Sequence, residues 1–106
     1  MNNRSDKIAT LLAHLAAEFI AREANRDVLI TPTRGEVSPN GKEITIFLSI
    51  FPTDGEERAL AFLNRRVTDF KDFVRTQAKI RMVPHVTFSL DIGEKNRQRI
   101  DEISNL

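Results

Sequence analysis

The chain has no cysteine, tryptophan or tyrosine, and only two histidines, four glycines and four prolines among its 106 residues. Without cysteine there are no disulfide frameworks, thiolate zinc sites, iron–sulfur clusters or cysteine nucleophiles. The glycines Gly35, Gly41, Gly55 and Gly93 form neither a phosphate loop, nor Gly-x-Gly-x-x-Gly, nor a Gly-x-Ser-x-Gly elbow, which disfavours a nucleotide enzyme or an elbow hydrolase. No apolar run approaches the roughly 18 to 20 residues of a membrane span. The opening stretch, Met1 to Lys7, lacks the apolar core and small-residue cleavage site of a signal peptide. The expectation is a cytoplasmic protein with no membrane partner. His14 and His85 stand at no metal-ligand spacing with a carboxylate or with each other, so neither a metal nor a cofactor is expected.

What is present is 41% apolar and 29% charged residues, enough for one domain over residues 1–106 with a core at about 4–90 and a polar tail at 91–106. At this length about two-thirds of the unfolded chain's surface can be buried without staples. Ser5 reads as an N-cap. Behind it Ile8, Leu11, Leu12, Leu15, Phe19 and Ile20 recur at steps of three and four, predicting a helix to about Glu23. A β-branched stretch near Val28 to Ile30, carrying Pro32 and Gly35 and resuming at Glu36 to Ser38, predicts a short, bulged or edge strand. Ser38-Pro39-Asn40-Gly41 is a turn with a mechanism, since proline presets φ and Asn-Gly tolerates positive φ. From Lys42 to Phe51, Ile44, Ile46, Leu48 and Ile50 alternate with Thr45, Phe47, Ser49 and Phe51, the strongest strand pattern in the chain. Thr53 to Glu56 has capping-box spacing, and Leu60, Leu63, Val67, Phe70 and Val74 carry a helical stripe to about Ala78, as one long helix or two joined by a bend. The Val83-Pro84 step stops helix, and Val86, Phe88 and Leu90 alternate as a third strand. In the tail, Ile100, Ile103 and Leu106 allow only a marginal helix or a frayed end. Helices with one apolar face each require one face of a small sheet, a two-layer α+β domain of order α-β-β-α-(α)-β.

Charge is unevenly spread. Residues 65–81 carry a net +4 against −3 for the rest of the chain. The cations are Arg65, Arg66, Lys71, Arg75, Lys79 and Arg81, with Lys71, Arg75 and Lys79 spaced four apart as a row beside the apolar stripe. Such a row can track phosphates. It can equally be the solvated side of a helix whose cations complement the negative C-terminal end, and the sequence leaves both readings open. Glu56 and Glu57, in the first helical turn, complement the macrodipole and need no catalytic explanation. Phe47 and Phe51 lie opposite the aliphatic residues of their strand. Phenylalanines there are ordinarily covered by a helix or the tail, although exposed ones can stack on bases. With no tryptophan or tyrosine, stacking is not expected to lead recognition.

Several strings, in this order, resemble one family. They are Arg4 with the helix Lys7 to Ile20, Glu36-Val37-Ser38-Pro39 leading into Glu43 to Ile50, Ile80-Arg81-Met82-Val83-Pro84-His85-Val86-Thr87-Phe88, and Arg99-Ile100-Asp101-Glu102-Ile103. The chain resembles the ribosome-binding factor A family, bacterial small-subunit maturation proteins of the type II KH-like class. The resemblance implies a non-catalytic, monomeric factor. It would bind 16S rRNA and the small (30S) ribosomal subunit during late assembly and rRNA processing, with ribosomal proteins as further candidate partners and the six cations at 65–81 as its RNA-binding residues. It also implies an Ala-x-Gly kink between the two helices, which falls here on Arg66-Val67-Thr68. No glycine lies between Gly55 and Gly93, so the expected bend is shallower, shifted or absent. A KH-like protein–protein interaction module is the alternative. It would use the edge strand near Pro32 or the Phe47/Phe51 face, and exposed phenylalanines with an acid-paired basic row would favour it.

Overall fold

The computed structural model describes residues 3–24 and 27–93. Helix α1 spans Asn3–Glu23, so it begins two residues ahead of Ser5, the expected N-cap. Its apolar stripe is buried as the spacing predicts: Leu12 and Ala16 are inaccessible, and Leu15, Phe19 and Ile20 nearly so. Leu11 is exposed, because the smaller Ala9 and Ala16 take the positions facing the sheet.

Strand β1, Leu29–Val37, pairs antiparallel with β2, Glu43–Phe51, from Leu29 opposite Phe51 to Val37 opposite Ile44. The two fragments read from the sequence are one edge strand, with an irregularity between Pro32 and Arg34 that leaves Thr33 as the extra residue. Pro32 is tolerated because an edge strand need not donate on both sides. Gly35 is required for packing, since a Cβ there would lie 2.8 Å from the carbonyl oxygen of Ala9 in α1. The Ser38–Gly41 turn forms as read. Gly41 sits at φ 73, its N–H donates to Ser38 O at 2.9 Å, and Asn40 Oδ1 accepts from the Lys42 N–H at 2.9 Å.

Beyond Pro52 the expected capping box does not form. Thr53–Gly55 instead make a 3-10 turn, and α2, Glu56–Arg65, starts from Gly55 with no side-chain cap. Glu56 and Glu57 remain in its first turn, where they complement the helix dipole. The helical stretch breaks at Arg66, with φ −102 and ψ 14, and resumes as α3, Val67–Ala78. Thus the bend is present without glycine, in a sparsely allowed region that L-residues can reach. Lys79, left-handed at φ 56, ends α3. Arg81 lies in the following loop, and strand β3 begins later, at His85–Leu90.

Because α2 and α3 carry the chain back along the sheet, β3 pairs parallel to β2, from Glu43 opposite His85 to Leu48 opposite Leu90. The sheet order is β1-β2-β3, a mixed three-stranded sheet in an α+β fold of order α-β-β-α-α-β, as expected. Ile44, Ile46, Leu48 and Ile50 of β2 and Val86 and Phe88 of β3 are buried with the helical stripes in one core. Phe70, fully buried, meets Phe19 and Phe88 edge-on at centroid distances of 5.4 and 5.5 Å. Asn64 of α2 holds the free edge of β3, with Nδ2 donating to Phe88 O at 3.1 Å and Oδ1 accepting from Phe88 N–H at 3.0 Å. No helix among the described residues is long and apolar enough to cross a membrane. The helix or frayed end expected for the tail falls largely at 94–106, outside the described residues.

Phe70→Ala removes the ring shared by α1, α3 and β3, and urea unfolding should show a loss of about 3–5 kcal/mol. Gly35→Ala should cost about 1–3 kcal/mol in the same measurement, because the obstacle is backbone and cannot rotate away.

Candidate nucleic-acid interface

The rotation of α3 is set by what it buries. With Phe70 and Val74 inaccessible, Lys71 and Arg75 fall on the adjoining flank, Lys71 half-buried along its stem and Arg75 exposed. Lys79 leaves the helical row because its left-handed backbone ends the helix. Arg65, at the end of α2, is exposed. The structure therefore places five of the six cations named from the sequence along α2, α3 and the loop after them, and gives the sixth, Arg66, another task.

Arg66 reaches Glu23 Oε2 of α1 at 3.1 Å and Asp69 Oδ2 at 2.7 Å, with its guanidinium 5.4 Å from the centre of the Phe62 ring. The hydrogen bond to Asp69 raises its pKa above the ordinary arginine value, partial desolvation opposes this, and the field of Glu23 adds to the rise. Arg75 pairs with Asp72 at 2.8 Å. Among the described residues, Arg65, Lys71, Lys79 and Arg81 have no acidic partner. An exposed i,i+3 pair such as Arg75–Asp72 contributes little and is readily exchanged for a phosphate. Arg66, tied to two carboxylates on two helices, is not.

Lys42 was not legible as part of this surface. It follows the hairpin turn, far in sequence from the basic segment. Only the parallel pairing of β2 with β3, in which the His85 N–H donates to Lys42 O at 3.0 Å, brings it beside the loop that carries Arg81. On the other side of the junction, Arg58, Phe62 and Arg65 of α2 border an open groove of about 550 Å³ whose opposite rim carries Glu23 and Asp27.

The open face of the sheet differs from expectation. Phe51 is 67% exposed, and its partner across the strands, Leu29, is 66% exposed, so no helix among the described residues covers this pair. The reason is positional, since both residues sit at the strand ends beside Pro52. Phe47 is half-buried beneath Arg34, whose guanidinium lies 4.0 Å above the ring. Arg34 also pairs with Glu36 and lies 3.5 Å from Asp91, and its pKa is raised first by the Glu36 hydrogen bond, against desolvation. Asp91 is buried and accepts from Thr33 Oγ1 at 2.5 Å, so the extra residue of β1 is tied to the end of β3.

His14 is exposed and 3.6 Å from Glu18, and no group of three or more histidine, aspartate or glutamate residues among the described residues could hold a metal ion. The arrangement offers a set of solvated cations along α2, α3 and the following loop, of the kind that can contact phosphates.

A family model, Ribosome-binding factor A, matches residues 4–104. Ribosome-binding factor A of Anaeromyxobacter sp. (strain Fw109-5) is 30% identical over 106 residues, covering 96% of this chain and 87% of that protein. The protein of the same name from Anaplasma marginale (strain St. Maries) is 31% identical over 103 residues, covering 94% and 87%. In structure, the chain is similar to the crystal structure of ribosome-binding factor A from Thermus thermophilus, with a TM-score of 0.68 at 21% identity, over 79% of this chain and 92% of that one. It is also similar, with a TM-score of 0.63 at 21% identity over 74% and 86% of the two chains, to a homology model of the Thermus thermophilus factor fitted into a cryo-EM map of its complex with 30S. The structural likenesses show the fold, and the sequence matches over nearly the whole length show the descent: this chain belongs to the ribosome-binding factor A family.

Proposed function

We propose that the protein is a non-catalytic factor that binds the small ribosomal subunit during late assembly and rRNA processing. It does so as a cytoplasmic monomer built as a single KH-like domain, and it contacts 16S rRNA through the cations of α2, α3 and the loop after α3. The observation that carries this reading is the set of four exposed or half-exposed cations with no acidic partner among the described residues, Arg65 at the end of α2, Lys71 on α3, and Lys79 and Arg81 after it, in a chain whose family includes a member fitted into a map of its 30S complex. Arg75 joins them by releasing Asp72. Arg66 contributes by holding the α2–α3 junction against α1, not by meeting phosphate.

The mechanism is differential binding. A factor that holds one conformation of an RNA more tightly than another shifts the population toward it, by no more than the difference in affinity. Lysines and arginines supply a salt-sensitive term by releasing counterions from the backbone, and register on a folded RNA comes from shape. With so few contacts, affinity for naked RNA is modest, and selectivity depends on the surrounding subunit.

A second reading, a KH-like protein–protein module, is favoured by the exposed Leu29–Phe51 pair on an edge strand. On the subunit the two readings are compatible, since that pair lies on the sheet face away from the helices and can meet a ribosomal protein. Leu29→Ser with Phe51→Ser would separate them by weakening subunit binding while sparing rRNA binding.

Co-sedimentation with purified 30S and 50S subunits across a salt series tests the main reading. The wild-type chain should pellet with 30S selectively and release as salt rises. Lys71→Glu, Lys79→Glu and Arg81→Glu combined should weaken that binding by more than about tenfold at low salt with little change in thermal midpoint, because none of the three side chains has an acidic partner among the described residues. Unchanged affinity in this folded variant removes the basic flank from the mechanism. Arg66→Ala should instead lower the thermal midpoint, whereas Arg65→Ala should leave it in place and reduce binding, as two parallel thermal melts and pelleting assays would show.

A further inference from the structure

Met82 is the most exposed of the large apolar side chains among the described residues, at 88% of its surface, and nothing in the fold uses it. It is not on a frayed segment. Ile80 and Val83, on either side of it, are partly buried against the core, so the loop between α3 and β3 is pinned at two points and turns Arg81 and Met82 outward. At one end the loop is fixed by Lys79, whose N–H donates to Arg75 O at 3.0 Å, and at the other by the His85 N–H on Lys42 O at 3.0 Å. The neighbouring turn is equally closed. Ser38 N–H donates to Glu43 O at 2.9 Å, and Ser38 Oγ lies 2.6 Å from Asn40 Oδ1.

The alternation of β2 sorts the charges here. Glu43 and His85 stand opposite each other in register on the open face of the sheet, away from Ile44 and the helical layer, and Lys42, one residue before the strand, accepts the His85 N–H through its carbonyl. Lys42 is thereby held beside the end of the loop that follows α3. Lys42, Lys79 and Arg81 have no acidic partner among the described residues, and Glu43 lies on the open face of the sheet. An exposed thioether thus shares its loop with Lys79 and Arg81, and the closed turn bonded to the end of that loop carries Lys42.

We propose that this tip is a base-contacting point of the RNA surface, in which Met82 packs against the face of an unpaired or helix-terminal base while Lys42, Lys79 and Arg81 hold the phosphates around it. The inference rests on the RNA-binding reading above and adds to it a kind of contact that cations alone do not make. A thioether is polarizable and favours aromatic faces, and every base offers one whatever its identity, so the contact anchors without reading sequence. Three cations around an apolar tip call for a polyanion that also carries flat, apolar ring faces, and RNA has both. A protein partner at this tip would need an acidic surface around an apolar pocket, and the experiment separates the two.

The chain has two methionines, Met1 and Met82, so photo-methionine incorporated biosynthetically reports on Met82 once the signal of a Met82→Leu chain is subtracted. Irradiated on purified 30S subunits, the wild-type chain should crosslink to 16S rRNA and the Met82→Leu chain should lose that product. In pelleting assays, Met82→Ser should weaken binding by about five- to tenfold at every salt concentration with the salt slope unchanged, as expected for lost apolar burial. Lys42→Gln should instead lower the salt slope, by about 0.7 to 0.9 for one phosphate contact. A Met82-dependent crosslink to a ribosomal protein, or Met82→Ser and Lys42→Gln chains that bind as the wild type does, overturns the proposal while leaving the RNA reading intact. A wild-type chain that fails to pellet with 30S overturns the RNA reading and this proposal with it.

Discussion

Phe70 is the point on which the rest of the structure turns. Its ring lies edge-on to Phe19 of α1 and to Phe88 of β3, with no exposed surface, so one side chain fixes the two helices and the outer strand relative to one another. Edge-on aromatic pairs have a preferred geometry as well as a large buried area. Helix α3 cannot rotate without breaking both contacts. Since residues one and five positions beyond Phe70 are Lys71 and Arg75, the direction in which the basic flank faces follows from how the core packs. The core and the interface are thus one constraint seen from two sides.

The same constraint governs the charges. A count of cations at 65–81 treats all six alike, but the fold divides them. Arg66 is held by Glu23 and Asp69, Arg75 by the single exposed Asp72, and Arg65, Lys71, Lys79 and Arg81 by no acid among the described residues. Exposed single pairs have little net strength in water, because the ions were already well solvated and ordering two long side chains costs entropy. Arg75 therefore stays as available to solvent as the four with no acidic partner among the described residues. Arg66 does not, because leaving its place would release contacts on two helices and the Phe62 ring at once.

Much of this was legible from local pattern. The α1 stripe, the alternation of β2, the Asn40-Gly41 turn and the Val83-Pro84 step before β3 each follow from periodicity or from a residue with a fixed backbone preference, and the resemblance to the family rested on their order. What was not legible depended on contacts between distant segments. Lys42 joins the basic surface only through parallel pairing of strands separated by two helices. The Thr53–Glu56 spacing looked like a capping box, but the chain enters the helix through a 3-10 turn that uses Thr53 differently. Phe51 was expected under cover, and its exposure follows from its place at the very end of the strand, beside Pro52. Asn64 gave no signal as a ligand for a strand edge, since an asparagine on a helix surface is ordinary until Phe88 is placed beside it.

The junction between α2 and α3 shows how a missing residue type can be replaced by contacts. A glycine at a helix break supplies backbone freedom, and its cost is a larger entropy loss on folding. Arg66 has no such freedom, yet its φ of −102 and ψ of 14 remain accessible to an L-residue, so the break needs no left-handed position. What defines the break is the side chain. By reaching Glu23 on α1 and Asp69 in the first turn of α3, Arg66 ties the end of one helix and the start of the next to a third. Asp69 stands by sequence in the first turn of α3, where a carboxylate is favoured by the helix dipole, and its pairing with Arg66 offsets the cation's place at that end. The two effects point the same way, so a β-branched Val67-Thr68 can begin the helix directly after the break. The break is thus fixed by ion pairs and not by backbone freedom, and the arginine next to it, Arg65, is exposed.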